Sequence, residues 1–157
     1  MKKFSSLVMG LCVAATCLTS GVAQSGTTAM GTVCRERYPY GMGLVFSNSS
    51  VLSGNYTQGT TVTCPISVDH DLGITADFKV VVSDNSTTYD YACYGVAYDS
   101  AGVLRGTSAT KYSSGSSGTA QTLSMSISGV DPGADWSFAV VCDIPEYSSQ
   151  ILSLRAY

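Results

Sequence analysis

The chain has 157 residues, of which 45% are hydrophobic and only 12% are charged, and its formal net charge is −3 at pH 7. So many apolar residues exclude a disordered chain, and the length suits one domain with a real core. Eight basic residues against eleven acidic ones cannot neutralise a row of phosphates, so the composition disfavours nucleic acid and anionic lipid as partners.

The N-terminal segment, residues 1–23, has the pattern of a secretory signal peptide. Met1 to Lys3 give a positive start, Leu7 to Leu18 give an apolar stretch, and small residues lead to a cleavage point after Ala23. The apolar stretch is shorter than the roughly 20 residues of a membrane-spanning helix. Lipid attachment at Cys17 is the alternative, but the residues before it fit that pattern poorly. We therefore expect a bacterial protein that is secreted to the periplasm or the extracellular space, without a membrane span.

Period-two alternation dominates the rest of the chain and predicts β-strands, since it places one face on a core and the other in water. Residues 24–40 are small and polar at their start and are predicted as a loose N-terminal arm, followed by one domain at 41–157. The strands predicted in this domain are Thr60–Val68, Ile74–Ser83, Thr88–Tyr98, Leu123–Ser128, Trp136–Ile144 and Ile151–Leu154.

Turn-forming residues separate these strands, and no segment shows a sustained helical period with caps. About seven or eight short strands separated by turns predict an all-β fold, an antiparallel β-sandwich of the jelly-roll or immunoglobulin-like kind. Trp136–Ile144 is apolar on both faces and is therefore expected to be a central strand. Lys111 to Gly118 is rich in Ser and Gly and is predicted to be a mobile loop.

Four cysteines remain after the predicted signal: Cys34, Cys64, Cys93 and Cys142. An even set in an exported β domain indicates two disulfides, and four cysteines allow three pairings. The pairing that we favour joins Cys93 to Cys142 across the core and Cys34 to Cys64, which ties the arm to the first long strand. Because close Cys-x-x-Cys pairs are missing, a zinc site is disfavoured, and we expect neither a metal nor a cofactor.

Catalytic signals are weak. The single histidine, His70, lies between Asp69 and Asp71 and could serve a small hydrolase as a general base, but a polar turn explains the same residues. No Gly-x-Ser-x-Gly elbow marks a nucleophile. The acidic turns Asp84–Ser86 and Asp131–Asp135 could hold calcium, although turn formation accounts for both. An enzyme is therefore the less favoured reading.

Tyrosine is the remaining clue, because ten tyrosines occur and several cluster. Exposed aromatic rings on a sandwich can stack on sugar rings or form a protein interface, whereas tyrosines also fill strand faces without binding anything. The tyrosines considered as ligand-binding residues are Tyr38, Tyr40, Tyr89, Tyr91, Tyr94 and Tyr98.

The sequence thus predicts a secreted, non-enzymatic protein that binds a partner or forms part of the cell surface. A glycan or another surface protein is the expected partner. The alternatives are a hydrolase that uses His70, a glycan-binding module that uses the tyrosines, and an assembly subunit that pairs through an edge strand. Oligomeric state is left open.

Cysteine and proline motifs extend over most of the predicted mature chain: Val62-Thr63-Cys64-Pro65-Ile66, Tyr91-Ala92-Cys93 and Cys142-Asp143-Ile144-Pro145. With the signal peptide, this arrangement resembles a recurring type of small exported bacterial protein of unknown function. The resemblance implies a secreted, disulfide-bonded β-sandwich, and it transfers no catalytic residue.

Overall fold

A computed structural model describes residues 27–37, 44–47, 50–53, 59–66, 75–115, 118–130, 135–145 and 149–156 of the chain. These residues form twelve strands and one short 3₁₀ turn, Gly31–Val33. In chain order the strands are β1 (Thr27–Met30), β2 (Arg35–Glu36), β3 (Leu44–Ser47), β4 (Ser50–Ser53), β5 (Thr60–Ile66), β6 (Thr75–Ser83), β7 (Ala92–Tyr98), β8 (Leu104–Thr107), β9 (Lys111–Tyr112), β10 (Ala120–Ser128), β11 (Ser137–Ile144) and β12 (Gln150–Ala156).

The strands form two sheets of six. Sheet I has the order β10-β6-β12-β4-β3, and β1 pairs with β12 beside β4. Sheet II has the order β2-β5-β11-β7-β8, and β9 pairs with β7 beside β8. Every pairing is antiparallel. The predicted all-β, antiparallel sandwich is therefore confirmed.

One hydrophobic core lies between the sheets, and period-two alternation supplies it. On β6 the residues Ala76, Phe78, Val80 and Val82 are buried, and on β10 the residues Leu123, Met125 and Ile127 are buried. They meet the inward side chains of sheet II in one continuous cluster. Burying a side chain of this size stabilises the fold by roughly 1.5–3 kcal/mol, so these two strands anchor sheet I.

Two strands are central for different reasons. β11 lies between β5 and β7, and the run Phe138 to Cys142 is buried throughout, as the apolar pattern on both faces predicts. β12, expected only to close the domain, instead lies in the interior of sheet I between β6 and the pair β4 and β1.

Residues 27–37 belong to the stretch predicted as a loose arm, and here they are paired. β1 runs along β12, β2 runs along β5, and Cys34 between them is fully buried. The division of the chain into signal, arm and domain stays a prediction, because residues 1–26 lie outside the described part.

Both disulfides form, with the pairing that the sequence favoured: Cys34–Cys64 and Cys93–Cys142. All four cysteines are fully buried. The geometry differs from the expectation in one respect, because Cys93 and Cys142 are register partners on the adjacent strands β7 and β11. That bridge therefore staples neighbouring strands of sheet II and does not span the core between the sheets.

Candidate functional site

The six tyrosines named from the sequence separate into four groups. Tyr38 and Tyr40 lie outside the described residues. Tyr91 is fully buried and so cannot meet a ligand, which corrects its inclusion in the set. Tyr89 is 64% exposed but precedes β7, in the loop that follows β6.

Tyr94 and Tyr98 lie on β7 and face outward from sheet II, because alternate residues of a strand share a face. Val96 stands between them, and Val141 and Ala139 of β11 lie beside Tyr94 and Val96 in register. These five residues form a separate apolar cluster on the outside of the sandwich. We call them the tyrosine face.

The tyrosines shield the aliphatic centre of this face. Val96 and Val141 are each only 3% exposed although they point away from the core, whereas Tyr94 and Tyr98 stay half-buried. The tyrosine rings therefore pack against the small aliphatic side chains and still present surface to solvent. Tyrosine in this position offers a flat apolar body with a polar tip, which suits recognition of a partner that is itself partly polar.

Further exposed apolar residues extend the face along the edge of sheet II. Tyr112 of β9 is paired with Ala92, and Leu104 of β8 is paired with Tyr98, so both share the outer face. Tyr112 is 65% exposed and Leu104 is 50% exposed. At about 3.3 Å per residue, Tyr94 and Tyr98 stand about 13 Å apart along the strand. The face is thus an elongated platform that suits an extended ligand.

The side chain of Arg37 contacts the tyrosine face at the end where Tyr94 lies. Arg37, just beyond β2, donates from Nη1 to the hydroxyl oxygen of Tyr94 at 2.9 Å, and its backbone N–H bonds Thr61 O at 3.0 Å. Beside it, Thr61 Oγ1 donates to Asp143 Oδ1 at 2.5 Å. The end near Tyr94 therefore carries a guanidinium and a carboxylate, while the centre of the face is apolar.

A second polar cluster, which sequence reasoning missed, lies buried where β6 ends. Asp84 is fully buried, and its carboxylate accepts hydrogen bonds from Ser113 Oγ at 2.5 Å, the backbone N–H of Ser86 at 3.0 Å and Ser149 Oγ at 3.5 Å. Ser113 Oγ in turn accepts the N–H of Tyr91 at 2.8 Å. We call Asp84, Ser86, Ser113, Ser149 and Tyr91 the Asp84 cluster.

The Asp84 cluster ties three connecting segments together, since its members come from residues 84–91, 113 and 149. Both described ends of Lys111 to Gly118, the segment predicted to be a mobile loop, are attached to the fold: Lys111 and Tyr112 form β9, Ser113 is buried, and Gly118 donates its N–H to Asp84 O at 2.8 Å. Gly118 has a φ of +65°, a conformation that L side chains rarely adopt, so a substitution there would be strained.

One atom of this cluster has no partner in the described part of the chain. The hydroxyl of Tyr91 is buried and makes no hydrogen bond. Burial, with a smaller contribution from the negative charge of Asp84, raises the pKa of Tyr91 far above its ordinary value of 10.0. The hydroxyl is accordingly a neutral group enclosed in the core, and it has no access to a substrate.

The other candidate residues named from the sequence can be placed only in part. Among them, no three His, Cys, Asp or Glu side chains come together as metal ligands. Asp84–Ser86, considered for calcium, forms a turn whose carboxylate is engaged by serines. His70 with Asp69 and Asp71, and the turn at 131–134, lie outside the described residues, so the hydrolase alternative stays a prediction. Within the described ranges, no helix is long and apolar enough to cross a membrane.

Two solved structures are similar to this chain. The C-terminal CBM6 of LamC, a marine laminarinase from Zobellia galactanivorans, matches with a TM-score of 0.51 at 12% identity over 84% of this chain and 98% of that one. The K1 cleaved adhesin domain of Lys-gingipain from Porphyromonas gingivalis matches with a TM-score of 0.41 at 10% identity over 84% and 94%. No family model and no curated protein matches the chain in sequence. At such identities the likeness concerns the β-sandwich fold alone.

Proposed function

We propose that this chain is a secreted, non-enzymatic binding component of the bacterial surface, and that the tyrosine face is its binding site. The observation that carries the proposal is an apolar, tyrosine-capped cluster on the outside of sheet II, where Tyr94 and Tyr98 lie over Val96, Ala139 and Val141. The apolar surface that this face exposes comes from the half-buried rings of Tyr94 and Tyr98 and from Leu104 and Tyr112 at its edge, and exposed apolar surface of this kind supports an interaction site.

Secretion is supported by the two buried disulfides, which persist in oxidising compartments, and by the signal-like N-terminal sequence. The low charge of the molecule favours a neutral partner over a phosphate-rich one. A glycan or the surface of another protein has the mixed apolar and hydroxyl chemistry that tyrosine rings accept. The CBM6 likeness agrees with this fold, and the support for a binding role comes from the tyrosine face itself.

The test is a binding screen of the purified, oxidised protein against cell-wall and extracellular polysaccharides and intact bacterial cells. We expect Tyr94→Ala and Tyr98→Ala each to weaken binding about tenfold. Loss of one stacked aromatic ring removes about 1.4 kcal/mol of binding free energy, which corresponds to a tenfold higher Kd. Tyr89→Ala is the matched control, because Tyr89 is exposed but lies off the face. Equal losses in all three variants, or retention that no variant changes, would exclude this face as the site.

A further inference from the structure

The outer edge of sheet I is formed by β10, and no other strand of the described residues pairs with it on that side. β10 pairs with β6 along all nine residues, without a register shift from Ala120, opposite Ser83, to Ser128, opposite Thr75. Alternate residues of an antiparallel strand direct their N–H and C=O groups away from the neighbour. In the described part of the chain, no backbone hydrogen bond other than those to β6 reaches residues 120–128. Among the described residues, the row of outward donors and acceptors along this edge therefore meets no backbone partner.

The other described edges are protected in the ways that natural sheets use. β2 and β9 have two residues each and carry Arg35 and Lys111. β8 has four residues, includes Arg105 and meets β7 across a register shift. β1 and β3 have only four residues each. β10, in contrast, is long and regular and contains neither a charged residue nor a proline.

The edge is also complementary to itself. If a two-fold axis brings Ser124 opposite Ser124 of a second copy, then Thr122 faces Ser126 and Leu123 faces Met125. The exposed hydroxyl row then meets a hydroxyl row, and the buried apolar row meets an apolar row, because this register keeps each face in place. Copies of a chain with net charge −3 repel one another on average, and β10 is an edge where contact places no like charges opposite each other.

From these observations we infer that two copies of this chain associate through β10 and join their first sheets into one continuous antiparallel sheet. A two-fold axis that pairs antiparallel strands in one sheet stands perpendicular to that sheet, so both second sheets lie on the same side. Their outer tyrosine faces then point in the same direction. The dimer does not depend on the proposed function, but if that function holds, the dimer presents two binding faces to one repetitive surface and gains avidity.

The test is sedimentation velocity of the oxidised protein over a concentration series. We expect the wild type to form a dimer that dissociates on dilution, and Ser124→Lys to raise the dimer Kd by about tenfold or more, because two lysines would stand opposite each other across the axis. Thr107→Lys on the edge strand β8 of sheet II is the matched control, an exposed residue with the same charge change, and it should leave the dimer intact.

A wild type that is monomeric at every concentration overturns the inference, even if the edge accepts a strand of a different protein. So does a dimer that Ser124→Lys leaves unchanged, or assembly into open polymers. Should Ser124→Lys fail to fold by circular dichroism, Thr122→Lys replaces it, and amide exchange gives a second reading: residues 120–128 must exchange more slowly in the dimer than on dilution. Tyr94→Ala and Tyr98→Ala should leave the dimer intact, so failure of the dimer and failure of the binding site are separable.

Discussion

Tyr91 and Tyr94 are three residues apart, yet one belongs to the sealed Asp84 cluster and the other to the open tyrosine face. Tyr91 precedes β7 and points into the core with an unpaired hydroxyl, whereas Tyr94 points out and bonds to Arg37. Two tyrosines three residues apart therefore have different roles, and the difference comes from which side of the sheet each one faces. The Asp84 cluster holds three connections together, while the tyrosine face offers surface, so changes in the first should alter stability and changes in the second should alter binding.

The largest effect is expected from Asp84→Ala. It removes the acceptor of Ser113, Ser149 and the N–H of Ser86 and leaves those groups unsatisfied in the interior, which lowers the free energy of unfolding by about 3 kcal/mol. Urea unfolding followed by tryptophan fluorescence measures the loss. Asp77→Ala is the control, since Asp77 is an exposed acceptor of Ser126 Oγ, and its loss should stay within about 0.5 kcal/mol. A loss at Asp84 as small as the one expected at Asp77 would mean that the Asp84 cluster does not support the fold.

Tyr91→Phe should have a smaller effect of opposite sign. The hydroxyl of Tyr91 is buried without a partner, so deleting it removes an unsatisfied polar group and raises the free energy of unfolding by about 1 kcal/mol. Thermal melts and urea curves report this change. Destabilisation by the same amount would show that the hydroxyl has a partner, such as an ordered water.

Tyr91→Phe should also change how the stability of the protein depends on pH in alkaline solution. Because burial raises the pKa of Tyr91 in the folded state above its ordinary 10.0, the unfolded state loses the proton first. The stability due to this group is fully present below pH 10 and falls as the pH rises above it. Tyr91→Phe should therefore lose less stability than the wild type between neutral pH and the alkaline range, as unfolding curves at each pH would show. Parallel curves for the two proteins would contradict the assignment.

The smallest effect on stability is expected from Asp99, in the turn that follows β7. The N–H of Val103, then Arg105 and the N–H of Ala101, hold the pKa of Asp99 below its ordinary value of 3.8. Its contribution is present above pH 3.8 and is lost as the pH falls through the lowered pKa. Carbon-detected titration of Asp99 should show the lowered midpoint, and Arg105→Gln should move it part of the way back. An unchanged midpoint in Arg105→Gln would leave the backbone N–H groups as the whole cause.

Much of the fold could be predicted because strand patterns are local. The alternation of β5, β6 and β10 marks their core faces directly, and Cys64, Val80 and Met125 are buried as expected. The tyrosine face was predicted in part, since Tyr94, Val96 and Tyr98 share a face by parity alone. Their neighbours Ala139 and Val141 became visible only when β11 was placed beside β7.

The Asp84 cluster could not be predicted. Asp84, Ser113 and Ser149 are separated by dozens of residues and have no signature of their own, because Asp and Ser are ordinary turn residues. The segment Lys111 to Gly118 was predicted to be mobile from its Ser and Gly content, but one buried hydroxyl and one glycine N–H attach it to Asp84. The composition of a segment indicates how flexible the isolated segment is. It does not indicate which distant residues the segment will hydrogen-bond in the folded protein.

The sequence by itself determined the all-β class and the inward and outward faces of most strands, because each depends on neighbours one or two residues away. The tertiary structure decided which strands are adjacent, that Cys93 and Cys142 bridge neighbours within one sheet, that Tyr91 is sealed and Tyr94 open, and that β10 ends its sheet. Each of these depends on contacts between residues far apart in the chain, whose pairing is selected by the packing of the whole core.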